Sequence, residues 1–148
     1  MSITATRTGT ISDSPRTSSI GGPIAARVVG ALLALTVAYT HFSDQGASFP
    51  GTKEPGYVGV GYWIVEAVAV VAAILLLTRS ARTGWFLSLG VALGPIIGYV
   101  LSRGPGLPNY VDDKGAWFDE AVAIEAFTAE VLLLVLAAFF LRRARARR

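Results

Sequence analysis

The stretch Tyr62-Trp63-Ile64-Val65-Glu66-Ala67-Val68-Ala69-Val70-Val71-Ala72-Ala73-Ile74-Leu75-Leu76-Leu77-Thr78, followed by Arg79-Ser80-Ala81-Arg82-Thr83, decides the fold. Between Trp63 and Leu77 every residue is apolar except Glu66. At about 1.5 Å of rise per residue, a helix of this length covers most of a hydrocarbon core of roughly 30 Å. The basic segment after it is too short and too polar to cross anything, so the chain turns back there. The next apolar run, Gly84 to Ser102, returns antiparallel, with Trp85 at one end and Tyr99 at the other, where interfacial aromatic residues belong. A helical hairpin in lipid is the unit these residues predict.

The flanking sequence repeats the theme. Pro23 to Phe42 is a further apolar segment whose one full charge is Arg27, and Asp119 to Leu141 is another, closed by Arg142 and Arg143. Ser43 to Gly61, with Pro50 and Pro55, and Arg103 to Trp117, rich in glycine and proline, read as exposed loops. Expected helices are therefore 23–42, 62–78, 84–102 and 119–141. Hydrophobic residues make up 53% of the 148, and the mean hydropathy of +0.54 exceeds what a soluble domain of this size buries, so a lipid-facing surface is required. The predicted fold class is all-α: a four-transmembrane-helix bundle running up-down-up-down, without internal repeats. Met1 to Gly22, dominated by Ser, Thr, Gly and Pro, reads as a disordered tail, and 142–148 as a basic tail. Arg27 followed by Val28 to Ala38 also resembles a signal peptide, an alternative weakened by the long polar lead.

Charge sets the orientation. Every Lys and Arg except Lys53, Arg103 and Lys114 falls in the two tails, at the start of the first helix or in the Arg79/Arg82 turn, so both termini are expected in the cytoplasm. The opposite side, carrying Asp44, Glu54, Asp112, Asp113 and Asp119, is acidic. A bacterial inner membrane is the expected location, with the lipid bilayer as first partner and a second copy or a membrane complex as a further one. Nucleic acid is not an expected partner, because the run from Arg142 to Arg148 has no interleaved aromatic residues. The absence of cysteine excludes disulfides, thiolate metal sites and cysteine nucleophiles.

Between helices in lipid, small residues permit close backbone approach. Gly90, Gly94 and Gly98 recur at every fourth position beside Pro95 and predict a packing groove, with Ala26, Gly30, Ala34 and Ala38 of the first helix as its counterpart. A ligand approaching the glycine face is the alternative.

Ionisable residues inside such helices are costly and so are informative. A charge at mid-membrane costs on the order of 2.5–3.5 kcal/mol, which the apolar run after Glu130 offsets. Glu66 shares a face with Ala69 and Ala73, while Glu125 and Glu130 point about 140° apart on the fourth helix, so one of the two can face the centre. The topology gathers His41, Glu66, Arg103 and Glu125 toward the outer half, with Glu130 deeper. These five form the candidate buried polar cluster, which acts either as interhelical glue or as a site handling protons or cations, with Arg103 as a mobile counter-charge. Asp112, Asp113 and Trp117 would order the last loop as a cap. No H-x-x-x-H or E-x-x-H spacing, nucleophile elbow or phosphate loop occurs, so no metal, cofactor or catalytic residue is assigned.

The stretch Gly98-Tyr99-Val100-Leu101-Ser102-Arg103-Gly104-Pro105-Gly106-Leu107-Pro108, followed by Asp112-Asp113-Lys114-Gly115-Ala116-Trp117, resembles a group of small uncharacterised four-helix bacterial membrane proteins. That group shares a Tyr-x-Leu-Ser-Arg, Gly-Leu-Pro and Asp-x-Gly-x-Trp pattern before a glutamate-bearing last helix. The resemblance implies the same topology and makes Glu120 and Glu130 the counterparts of the group's glutamates. Ala121 stands where the group has proline, and Glu125 is an addition. Together these features lead to an expected non-enzymatic accessory or structural membrane subunit, ahead of a proton- or cation-handling protein, and of a membrane enzyme or cofactor binder.

Overall fold

The computed structural model describes residues 22–47 and 53–146. The tail expected from Met1, the loop residue Pro50, and Arg147 and Arg148 lie outside these. Among the described residues the chain is all-helical: α1 Ile24–Asp44, α2 Gly56–Leu77, α3 Ala81–Arg103 and α4 Ala121–Arg145. Each of the four is long and apolar enough to cross a membrane.

Three boundaries differ from expectation by three residues or more, each for a local reason. The second helix begins at Gly56 instead of Tyr62, because Pro55, held at φ −68°, stands extended just before it and its carbonyl takes the Val58 N–H at 2.8 Å. Gly56, Gly59 and Gly61, which read as loop signals, are inside this helix. Gly59 must lack a side chain, since a Cβ there would sit 2.9 Å from the Lys53 carbonyl of the incoming chain. The basic turn contracts to Thr78–Ser80, and Arg82 belongs to α3. Arg142, Arg143 and Arg145 do not stop α4 but form its last turn, where cations complement the negative end of the helix dipole.

Each helix packs against its chain neighbours, α4 closes back on α1, and α1 meets α3 only briefly across the diagonal. The core is built of alanines, fully buried at Ala34, Ala69, Ala72, Ala92 and Ala137, so backbones rather than long side chains meet. Leu76, Trp85 and Leu133 fill the remaining space, and Ile64, Ile74, Phe86 and Val135 point outward.

The tightest contact is not the glycine stripe. A Cβ on Gly84 would come within 2.7 Å of the Leu76 backbone nitrogen, so α2 and α3 touch just after their turn. Gly30 makes room for Trp85 in the same way, at 2.5 Å from its ring. By contrast a Cβ on Gly90, Gly94 or Gly98 would meet nothing within 4 Å. Among the described residues no helix of the chain therefore packs on these three, and α1 pairs mainly with α2 and α4. Pinned together at Gly84, α3 leaves open space along its glycine face.

Arg27, an interruption in the apolar run, has a clear local use. Its Nε donates to the Leu76 carbonyl at 2.5 Å and its Nη2 to the Thr78 carbonyl, satisfying groups that the end of α2 would leave bare. Trp85 stacks on Phe140 at the same end, with centroids 4.9 Å apart.

Candidate functional site

The end of α1, the start of α2, the end of α3 and the start of α4 enclose a cavity of about 400 Å³. Its floor is a pair of buried ionisable groups. His41, in the last turn of α1, has Nδ1 2.9 Å from the Val37 carbonyl. A carbonyl only accepts, so Nδ1 carries the proton and Nε2 faces the cavity side. Nε2 lies 3.8 Å from Glu130 Oε1, too long for a hydrogen bond. Glu130 is 2% exposed, lines the cavity, and has no hydrogen-bond donor among the described residues. Tyr62 holds the imidazole from the other side, edge-on at 4.7 Å.

Above the floor the polar groups are mutually committed. Asp44 accepts from both the Tyr62 hydroxyl and Lys53 Nζ, each at 2.8 Å. Ser102 and Thr40 hydroxyls donate to their own helix backbones, at the Tyr99 and Val37 carbonyls. Both hydroxyl protons are thus directed at backbone carbonyls and not at a side-chain base.

The roof is the loop between α3 and α4, and Arg103 ties it down. Its Nε donates to the Ala116 carbonyl at 2.8 Å, Nη1 approaches Asp113 at 3.4 Å, and Nη2 lies 3.9 Å from Glu120. The guanidinium also rests 4.2 Å from the centre of the Tyr99 ring. Three tyrosines add bonds: Tyr57 to the Pro108 carbonyl at 2.7 Å, Tyr110 to Asp113 at 2.8 Å, and Tyr99 to the Trp117 carbonyl. Burial, reinforced by Asp113, pushes the Tyr110 phenol well above its ordinary range, so it remains a donor. Gly115, at φ +85°, turns the loop so that its own N–H reaches the Arg103 carbonyl at 2.8 Å.

No protein family, curated protein or solved structure matches the chain. The site therefore rests on its own geometry.

That geometry divides the expected cluster. His41, Arg103 and Glu130 line the cavity together. Glu66 does not: half-buried on α2, it accepts a 2.5 Å hydrogen bond from Gln45 Nε2. Glu125 is exposed, because the 140° between it and Glu130 leaves room for one of them inside. Of the cap residues, Asp113 binds Arg103 and Tyr110, Trp117 packs its ring 6.1 Å from that of Tyr99, and Asp112 is exposed. Gly94 and Gly98 line the cavity instead of a helix seam.

Sequence reasoning missed Asp44, Lys53, Tyr62, Tyr110 and Glu120 as members of the site. The tyrosines carried a signal, but it is the same one an interfacial aromatic belt produces. Among the described residues, no three His, Asp or Glu side chains converge as a metal site would need.

Proposed function

We propose that the chain is a multi-pass integral membrane protein, crossing a bacterial inner membrane up-down-up-down with both termini in the cytoplasm. It acts as a non-enzymatic accessory subunit whose capped chamber holds a small molecule in the outer half of the bilayer. The observation that carries this reading is the chamber itself. Its volume lies within the usual range for small-molecule sites, roughly 300–1,000 Å³, and its roof is bonded shut by Arg103 and three tyrosines. A purely structural network would fill such a space with side chains, whereas here the glycine face of α3 keeps it clear. The non-enzymatic reading draws on the committed hydroxyls of Ser102 and Thr40. Partners consistent with it are lipid, a second copy or a membrane complex.

Native mass spectrometry of the protein released from its own membranes tests the reading. The wild-type chain should carry an additional small-molecule mass that Gly94→Leu, which fills the chamber, does not. An identical spectrum for both would remove the binding role.

A proton- or inorganic-cation-handling role is favoured by one observation, the deep carboxylate of Glu130 facing an open space. Glu66 and Glu125 lie off that route, so the reading now rests on His41 and Glu130 alone. Unchanged ion flux in proteoliposomes containing Glu130→Gln would dispose of it.

A further inference from the structure

The polar groups of the chamber are unevenly matched. Its lining holds the acids Asp44, Asp113, Glu120 and Glu130 against the permanent cations Lys53 and Arg103, a surplus of two acids with His41 beside them. Both cations are already engaged, Lys53 with Asp44 and Arg103 with Asp113 and Glu120. Neither reaches Glu130. A carboxyl that is 2% exposed and lacks a hydrogen-bond donor among the described residues is costly unless something arrives to pair with it.

The walls narrow the choice of what arrives. Tyr57, Tyr62, Tyr99, Tyr110 and Phe127 bring five aromatic rings to one cavity. Two of them already attract the protein's own cations, with Lys53 Nζ 5.8 Å from the Tyr62 centroid and Arg103 4.2 Å from that of Tyr99. Phe127 stands three residues before Glu130 on α4, and so presents a ring on the same face as the carboxylate. Because both line the cavity, a positive group bound there would have one charged and one aromatic contact. An inorganic divalent ion is poorly served there, because among the described residues no third ligating side chain converges. Apolar groups of the ligand would lie along Val65, Pro95 and Ala126. Ile64, Gly94 and Val122 line the chamber while remaining exposed, which opens it on the flank of the helices.

Resting on the reading of the chamber as a binding site, we propose that its ligand is a monovalent organic cation with an apolar body, entering from the lipid and pairing with Glu130 beside Phe127. Arg103 and Lys53 do not contact its charge. They stay with Asp44 at the end of α1 and with the acids near the roof, and exclude the ligand's head from that end.

The full chain in phosphatidylcholine nanodiscs, titrated with tetraphenylphosphonium and with the uncharged triphenylphosphine oxide, tests the assignment. Saturable binding of the cation at one per chain is expected, with affinity reduced at least tenfold in Glu130→Gln and unchanged in Glu66→Gln. The uncharged compound should bind at least tenfold more weakly than the cation. Equal binding of the cation to wild type and Glu130→Gln overturns the proposal, as does preference for the uncharged compound. If the uncharged compound binds as tightly as the cation or more tightly and Gly94→Leu abolishes that binding, the chamber survives as a site and only the cationic ligand is wrong. If neither compound responds to Gly94→Leu, both readings fall. Thermal unfolding of each variant establishes that it is folded.

Discussion

Glu130 and Arg103 are both buried ionisable residues, yet they behave in opposite ways because Glu130 has no hydrogen-bond donor among the described residues, with His41 3.8 Å away, whereas Arg103 is held by several partners. With no donor to lose, Glu130→Gln exchanges a poorly solvated acid for a neutral amide of nearly the same shape. Its melting temperature in detergent should equal or exceed that of the wild type, and a drop of several degrees would show that the carboxylate is bonded after all. Removing Arg103 has the reverse effect. Arg103→Ala removes the donor of the Ala116 carbonyl and the counter-charge of Asp113 and Glu120 at once, leaving Asp113 only the Tyr110 hydroxyl. Asp113 is only partly buried and can be resolvated, so the cost is on the order of 1–3 kcal/mol. Hydrogen exchange should rise across 104–120 and stay unchanged in α2. Arg103→Lys should not restore protection, because an ammonium cannot span a backbone carbonyl and two carboxylates as the planar guanidinium does.

The glycines of α3 look alike in sequence and differ in consequence. A Cβ at Gly84 meets the Leu76 backbone nitrogen at 2.7 Å, which no rotamer change can relieve. Gly84→Ala should therefore force α2 and α3 apart and destabilise the protein by about 1–3 kcal/mol. Gly94→Ala adds a methyl group to open space. There the change should be neutral or stabilising by up to about 1 kcal/mol, from the higher helix propensity of alanine. Thermal unfolding of the two single variants side by side checks the pair, and similar losses in both would place a helix against Gly94. The same contrast explains why the four-residue spacing of Gly90, Gly94 and Gly98 is misleading. Spacing tells which residues share a face, whereas the neighbour that face meets depends on how far apart the helices stand.

Across the whole molecule, the absence of cysteine in the chain offers a clean topology experiment. Arg79→Cys in the turn after α2 and Asn109→Cys in the roof loop should react with a membrane-impermeant maleimide from opposite sides, Asn109→Cys in intact cells and Arg79→Cys only after the membrane is breached. Labelling of both from one side would refute the four-crossing arrangement. The helices themselves are legible from hydropathy alone, since apolar runs of this length in a chain this hydrophobic have few other uses, and the positive charges outline an orientation. Legibility stops where partners begin. The 140° separation of Glu125 and Glu130 allows at most one of them to face inward, but which one depends on where α1 and α3 stand around α4. Gln45 taking Glu66, and Asp44 taking Tyr62, join residues about twenty positions apart through a loop, a pairing that hydropathy and periodicity do not encode. Crossing a bilayer is a property of each segment's own transfer free energy and so is written locally. An open chamber with a carboxylate at its floor arises from the gaps between segments, and those exist only once four helices have packed.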